Sequence, residues 1–237
     1  MIATSKQSVA QGWVDKNLYP FEHHFITLES GRVHYVDQGK GEVILFVHGT
    51  PTWSFLYRDF IKELAKNYCC IAINHLGFGL SEKPEGSGFT PQWHTRNLSE
   101  FIEKKNLNNI TLVVHDFGGP IGLAAGMEHA DRIKRVVLFN TWLWSTASIK
   151  EVQKLDKTVN SGLGKFLYLS MNISPKTLLK RGFAEKSNLT KIVHRQYIHP
   201  FPTKASRIPL LDLAKSLKGS SDWYQEQWRQ LSRASSN

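Results

Sequence analysis

Four apolar runs, separated by stretches of helical periodicity, constrain this chain more than any other feature. They are EVILFVHG (42–49), YCCIAIN (68–74), NITLVVH (109–115) and IKRVVLFNTWLW (133–144). The first three are too continuous for strands with one wet face. They read as strands covered on both sides, and the fourth reads as a further strand. Between the first two, WSFLYRDFIKELAKN carries Phe55, Leu56, Phe60, Ile61 and Leu64 as a helical stripe. Between the second and third, FTPQWHTRNLSEFIEKKNL opens with Thr90 as a helix N-cap and Pro91 at the first helical position. GPIGLAAGMEHA supplies a further helix. Strand and helix alternate, which predicts an α/β fold with a mostly parallel sheet. Upstream, HHFITLES and VHYVDQG read as two strands about a tight turn at Ser30, Gly31 and Arg32.

After Trp144 the rhythm changes. Helices are expected over 148–158, 162–170, 175–182, 188–197, 208–217 and 221–233, broken at Gly162, Pro175, Pro200, Pro202 and Gly219. The chain therefore divides into a core over 1–144, a helical unit over 145–232 and a short return segment over 233–237. Charge divides the same way. Residues 1–144 hold 14 Lys+Arg and 14 Asp+Glu, whereas 145–237 hold 16 and 6. The basic excess is scattered, without the clustering that marks nucleic-acid recognition, so no nucleic-acid partner is expected. No apolar run reaches the ~18 residues of a membrane helix. The opening MIATSKQSVAQGWVDKN is too polar for a secretory leader, and the expected setting is the cytoplasm. Cys69 and Cys70 are strand neighbours pointing to opposite faces, which disfavours a disulfide between them.

The third apolar run ends in HDFGG, with Asp116 at the corner. An apolar strand, one exposed residue on a sharp turn and then small residues leading a helix make a nucleophile elbow. Gly118 and Gly119 let the helix pass close to the strand. The helix N-terminus favours a carboxylate there. An aspartate, with an ordinary pKa of about 3.9, is ionised at neutral pH without a base to activate it. It suits attack at carbon, with an ester as intermediate. A plain N-cap is an equally available role for Asp116 on these residues alone. HGTPTW, after the first apolar run, stands where hydrolases of this plan supply the second N–H of an oxyanion hole. The donors would be the backbone N–H groups of Thr50 and Phe117. An ordinary turn is the alternative. No phosphate loop or metal-ligand spacing is present, so no cofactor and no metal are expected.

HGTPTWSFLYR, HLGFGLSEKP, FTPQWHTRNLSEFI, HDFGGPIG, LFNTWLW and PFPTKASRIP occur in the order found in one family. The chain resembles the haloalkane dehalogenases of the α/β-hydrolase superfamily and their epoxide hydrolase relatives. The resemblance implies an α/β-hydrolase fold with a helical cap over 145–232. It implies that Asp116 is the nucleophile, that Thr50 and Phe117 form the oxyanion or halide site, and that the substrate is a small hydrophobic molecule, with water. Trp53, Trp142 and Trp144 are candidate pocket residues.

Three departures from the family pattern stand out. Phe117 replaces the Trp whose indole N–H holds the halide. Asn74 stands where many relatives carry Asp. The family's general-base His lies beyond two further strands. Its orienting acid follows either the first of them or the strand that here ends near Asn140, where FNTWLW has no carboxylate, so neither base nor acid is found. The expectation is therefore a fragment of a longer enzyme, with RVVLFNTWLW left as a sheet edge open to self-association. Turnover would need the missing His and acid. The alternatives are an epoxide hydrolase, using cap tyrosines among Tyr168, Tyr197 and Tyr224, or a catalytically silent binding protein.

Overall fold

The computed structural model describes residues 12–234. The first eleven residues and the last three, including most of the expected return segment, lie outside the described residues. The six strands are β1 (His24–Leu28), β2 (Gly31–Gln38), β3 (Val43–Val47), β4 (Cys69–Ile73), β5 (Ile110–His115) and β6 (Ile133–Phe139). They form one sheet in the order β1-β2-β4-β3-β5-β6. β4, β3, β5 and β6 run parallel, while β1 and β2 add antiparallel to the β4 side. This is the mostly parallel α/β sheet that the strand–helix alternation implies.

The first three apolar runs, β3, β4 and β5, are explained by cover on both faces. Leu45, Val47, Ile71, Ile73, Leu112 and Val114 face one layer, built from Leu98, Phe101 and Ile102 of α2 (Pro91–Lys104) and Ile121 and Ala125 of α3 (Gly118–Glu128). Their neighbours Ile44, Phe46, Cys70, Ala72 and Val113 face the other, with Phe55, Tyr57 and Ile61. Each large apolar side chain so buried contributes about 1.5–3 kcal/mol relative to exposure. Cys70 lies in the second layer and Cys69 packs against the first, and both thiols are free. Thr90 caps α2 as its sequence implies, its hydroxyl accepting the Trp93 N–H at 3.3 Å, with Pro91 leading the helix.

Three local readings need correction, one of them the helix expected over 175–182, which is a wider turn over Ser174–Leu178 followed by a 3-10 turn over Leu179–Gly182. The stripe from Phe55 to Leu64 is not one α-helix. A 3-10 turn over Ser54–Tyr57 precedes α1 (Arg58–Leu64). The tighter turn shifts the phase of the stripe. Phe60 consequently points outward, 47% exposed, with its ring 5.9 Å from that of Phe139. The helix expected over 162–170 is α-helical only over α5 (Gly162–Lys165). It continues over Phe166–Ser170 as a wider turn, with Met171 N–H bonded to the Phe166 carbonyl. The chain then runs through α6 (Lys191–Ile198), α7 (Ile208–Gly219) and α8 (Ser221–Ala234), after α4 at Lys150–Val159. No strand follows β6 among the described residues.

β6 is the sheet edge, and its residues from Lys134 to Phe139 are exposed. Lys134 and Arg135 pair with Glu42, but Val136, Val137, Leu138 and Phe139 stay open to solvent. A bare apolar edge is a template for pairing with another chain. Because Val136 and Leu138 are already exposed, replacing both by lysine costs little folded-state stability. The double variant V136K/L138K is expected to raise the monomer fraction in size-exclusion chromatography while moving Tm by less than about 2 °C.

Candidate active site

Only Asp116 and Phe117 separate β5 from α3. β5 lies between β3 and β6, and the three parallel strands end together, with Val114 beside Val47 and His115 beside Phe139. Asp116 takes φ +53°, a left-handed conformation that Asp adopts more readily than most side chains. Its backbone is held from three sides. Asp116 N–H donates to the Asn140 carbonyl at 3.3 Å, the Thr141 hydroxyl donates to the Asp116 carbonyl at 2.6 Å, and Gly119 N–H donates to the same carbonyl at 2.9 Å. A Cβ at Gly118 would collide with the Val47 carbonyl, so glycine there lets α3 start directly against β3.

The Asp116 carboxylate is buried beneath the loop that follows β3. Thr50 N–H donates to its Oδ1 at 2.8 Å, and Phe117 N–H donates to the carboxylate as well. These are the two donors read from the sequence, and here both hold the aspartate itself. Burial pushes the Asp116 carboxyl above the usual range, and the two N–H groups and nearby His115 pull against it. Burial pushes His115 below its ordinary value, against the attraction of Asp116.

In front of Asp116 opens a cavity of about 500 Å³. The sheet side supplies Thr50, His115, Phe117 and Asn140, and the segment after β6 supplies Leu155, Tyr168, Leu179, Phe183 and Leu217. The wall is mainly apolar and suits a small hydrophobic molecule. Thr50 Oγ1 is buried without a hydrogen-bond partner. Tyr168 is the one tyrosine that lines the cavity, and burial pushes its hydroxyl up to about 12. Tyr224 donates to the Ser216 carbonyl at 2.9 Å, and Tyr197 sits in the other core layer. Among the described residues, no group of side chains could hold a metal ion.

The three tryptophans expected at the pocket do not line it. Trp53 is fully buried and donates its indole N–H to the Gln196 carbonyl at 2.9 Å. Trp142 lies behind Phe117, ring centroids 4.9 Å apart, with its Nε1 buried and unpartnered. Trp144 is 48% exposed and meets Trp228. Sequence reading missed Asn140 and Thr141, which end the neighbouring strand at the height of the elbow. The available signal was the parallel register, which sets Asn140 beside Asp116 once His115 is opposite Phe139.

The loop carrying Thr50 rests on a buried histidine frame. His48 donates from Nδ1 to the Gly49 carbonyl at 2.7 Å and accepts the His75 N–H at Nε2, 3.0 Å away. His75 returns a bond from Nε2 to the His48 carbonyl at 3.0 Å. His94 packs against His75, with both ring nitrogens unpartnered. Asn74 suits its place as an amide. Its oxygen accepts the Ser54 N–H at 2.7 Å, and its nitrogen meets His34 Nδ1 at 2.7 Å, a donor that a carboxylate would lack.

A family model of the alpha/beta hydrolase fold matches residues 42–236. Over 203 residues the chain is 36% identical to haloalkane dehalogenase 2 of Mycobacterium tuberculosis, covering 86% of this chain and 70% of that one. The chain belongs to the haloalkane dehalogenase family. The crystal structure of the haloalkane dehalogenase DatA from Agrobacterium tumefaciens C58 superposes with a TM-score of 0.80 at 25% identity, covering 90% of this chain and 76% of that one. A second relative in sequence is the cis-3-alkyl-4-alkyloxetan-2-one decarboxylase of Shewanella oneidensis, 33% identical over 84% of this chain and 64% of that protein.

The histidine frame makes the fold acid-sensitive. Burial holds His48 and His94 well below the ordinary imidazole value and His75 at about 4. The unfolded chain, with pKa values near 6.5, binds protons first as pH falls. The stabilisation is complete above about pH 6.5 and drains as pH drops towards 4. Asp116 and Asp212, shifted upward by burial, work the other way, but against these three and the similarly lowered His23, His34 and His115. Urea unfolding is expected to show stability lower by at least about 2 kcal/mol at pH 5.0 than at pH 7.5. A flat profile over that interval would contradict a neutral, buried frame.

Proposed function

We propose that this chain displaces halide from alkyl halides by attack of Asp116, leaving an alkyl ester on its carboxylate. The observation that carries this reading is a carboxylate held by two backbone N–H groups on the floor of an apolar cavity. A carboxylate oxygen donates a lone pair to the carbon bearing the halogen. The carbon–halogen bond breaks as the new C–O bond forms, and the halide leaves with the bonding pair. No proton has to move, so no base is needed for this step. The apolar wall keeps water from the carboxylate and strengthens the electrostatics of the site. The Thr50 hydroxyl is a spare donor for the departing anion, whereas the Phe117 ring offers none. We assign the helices of 145–232 the role of cap over the substrate.

Hydrolysis of the ester is a separate demand. Water adding to the ester carbonyl places negative charge on oxygen, where the Thr50 and Phe117 N–H groups would receive it. Activation of that water by a histidine is worth about 10²–10⁴-fold. Among the residues lining the cavity, His115 is the one imidazole, and no carboxylate besides Asp116 accompanies it. The ester formed on this 237-residue chain is therefore expected to be long-lived.

Opening of a strained oxygen ring is the second reading. It is favoured by Tyr168, whose hydroxyl could protonate the opening alkoxide, and by the oxetan-2-one named for the Shewanella relative. Halide release against ring-opened product separates the two. With 1-iodobutane, the chain is expected to release about one iodide per molecule in a burst and little thereafter. Asp116→Asn, which suits the left-handed φ, should release none. Equal iodide release from both proteins would reject Asp116 as nucleophile, and sustained turnover would reject the long-lived ester.

A further inference from the structure

We propose that Lys83 is a covalent capture site for small apolar aldehydes, seated in a second cavity that shares no wall with that of Asp116. This cavity measures about 660 Å³ and lies between the loop after β4 and the segment leading into α7. Lys83, Glu85, Ser87 and Phe89 border it on one side, with Thr203 and Ile208 on the other.

Lys83 is a half-buried cation without a carboxylate partner among the described residues. Its Nζ donates only to the carbonyls of Gly79 and Ser81, at 3.2 and 3.4 Å, both long for such bonds. The nearby acids are engaged elsewhere or point away. Glu82 accepts the Arg32 N–H at 2.8 Å, Asp212 accepts the Phe89 N–H, and Glu85 is exposed. Desolvation pulls the Lys83 amine down to about 8. At pH 7.4 roughly a fifth of it is then neutral, against about one part in a thousand for an ordinary lysine.

The wall opposite decides what such an amine would meet. The Ser206 hydroxyl is spent on the Thr203 backbone, and the Thr203 hydroxyl is held by the Ser206 N–H. Thr203 Oγ1 accepts the Ser206 N–H at 3.1 Å. Ser206 Oγ donates to the Thr203 carbonyl at 2.8 Å and accepts the Thr203 N–H at 3.0 Å. An anion entering here would meet one ammonium with the Glu85 carboxylate on the same rim. Phe89, Ala205 and Ile208 offer apolar surface instead. A desolvated amine beside an apolar wall suits a hydrophobic carbonyl compound.

In the reaction the neutral nitrogen's lone pair adds to the aldehyde carbon, and the carbonyl π pair moves to oxygen. The oxygen takes one proton from nitrogen to give a carbinolamine. It then leaves as water with the second nitrogen proton, and a C=N bond forms. No oxidant or reductant is needed.

The test is competitive labelling of the whole chain at pH 7.5 with limiting hexanal and cyanoborohydride, followed by peptide mass spectrometry. Lys83 is expected to carry at least about tenfold more hexyl group than the exposed Lys154 and Lys157. Lys83→Arg, checked for folding by circular dichroism, should lose that adduct and keep the others. Asp116→Asn should label at Lys83 as the parent does, which separates this site from the dehalogenase reading. Labelling of Lys83 no faster than the exposed lysines would overturn the proposal.

Discussion

The site depends on one backbone constraint: Asp116 held in a left-handed conformation where three parallel strands end. β5 delivers the residue, β3 delivers Thr50 above it, and β6 delivers the Asn140 carbonyl and the Thr141 hydroxyl that lock it. The helix begins at once because Gly118 allows contact with the Val47 carbonyl. A left-handed non-glycine residue costs on the order of 1–3 kcal/mol, and it persists only where its surroundings over-determine it. Here they do so through hydrogen bonds on both sides of the peptide.

That constraint produces an electrostatic balance. Burial disfavours the ionised carboxylate, and two N–H groups, that of Phe117 at the start of α3 and that of Thr50 in the loop after β3, offset part of the cost. A well-solvated aspartate would be easier to ionise but poorer at attacking carbon. In the proposed reaction the two donors that hold the carboxylate would also receive the charge that develops on oxygen during ester hydrolysis. The histidine frame under Thr50 belongs to the same design. His48 and His75 exchange bonds with backbone groups and so hold the loop that carries one of the donors. The site is rigid because its donors are main chain and its supports are buried.

Much of this was legible in the sequence. Unbroken apolar runs require a sheet covered on both faces, and HDFGG and HGTP each sit at a strand end, so elbow and loop could be paired before any coordinates. Thr90 and Pro91 announced α2 through cap chemistry alone. What escaped depends on lateral packing. Trp53, Trp142 and Trp144 were candidate pocket residues, the latter two as indole donors in place of the one Phe117 lacks. Their directions are set by Gln196, Phe117 and Trp228, from distant parts of the chain. Thr141 was invisible as a clamp because its role comes from strand register. Phe60 fit a helical stripe, yet one 3-10 turn before it rotated it outward.

The most direct measurement is the position of the covalent adduct. After incubation with 1-bromohexane, peptide mapping is predicted to find one hexyl group per chain, on Asp116, removable by hydroxylamine as an ester would be. A hexyl group found instead on a cysteine or histidine, with Asp116 unmodified, would contradict the account.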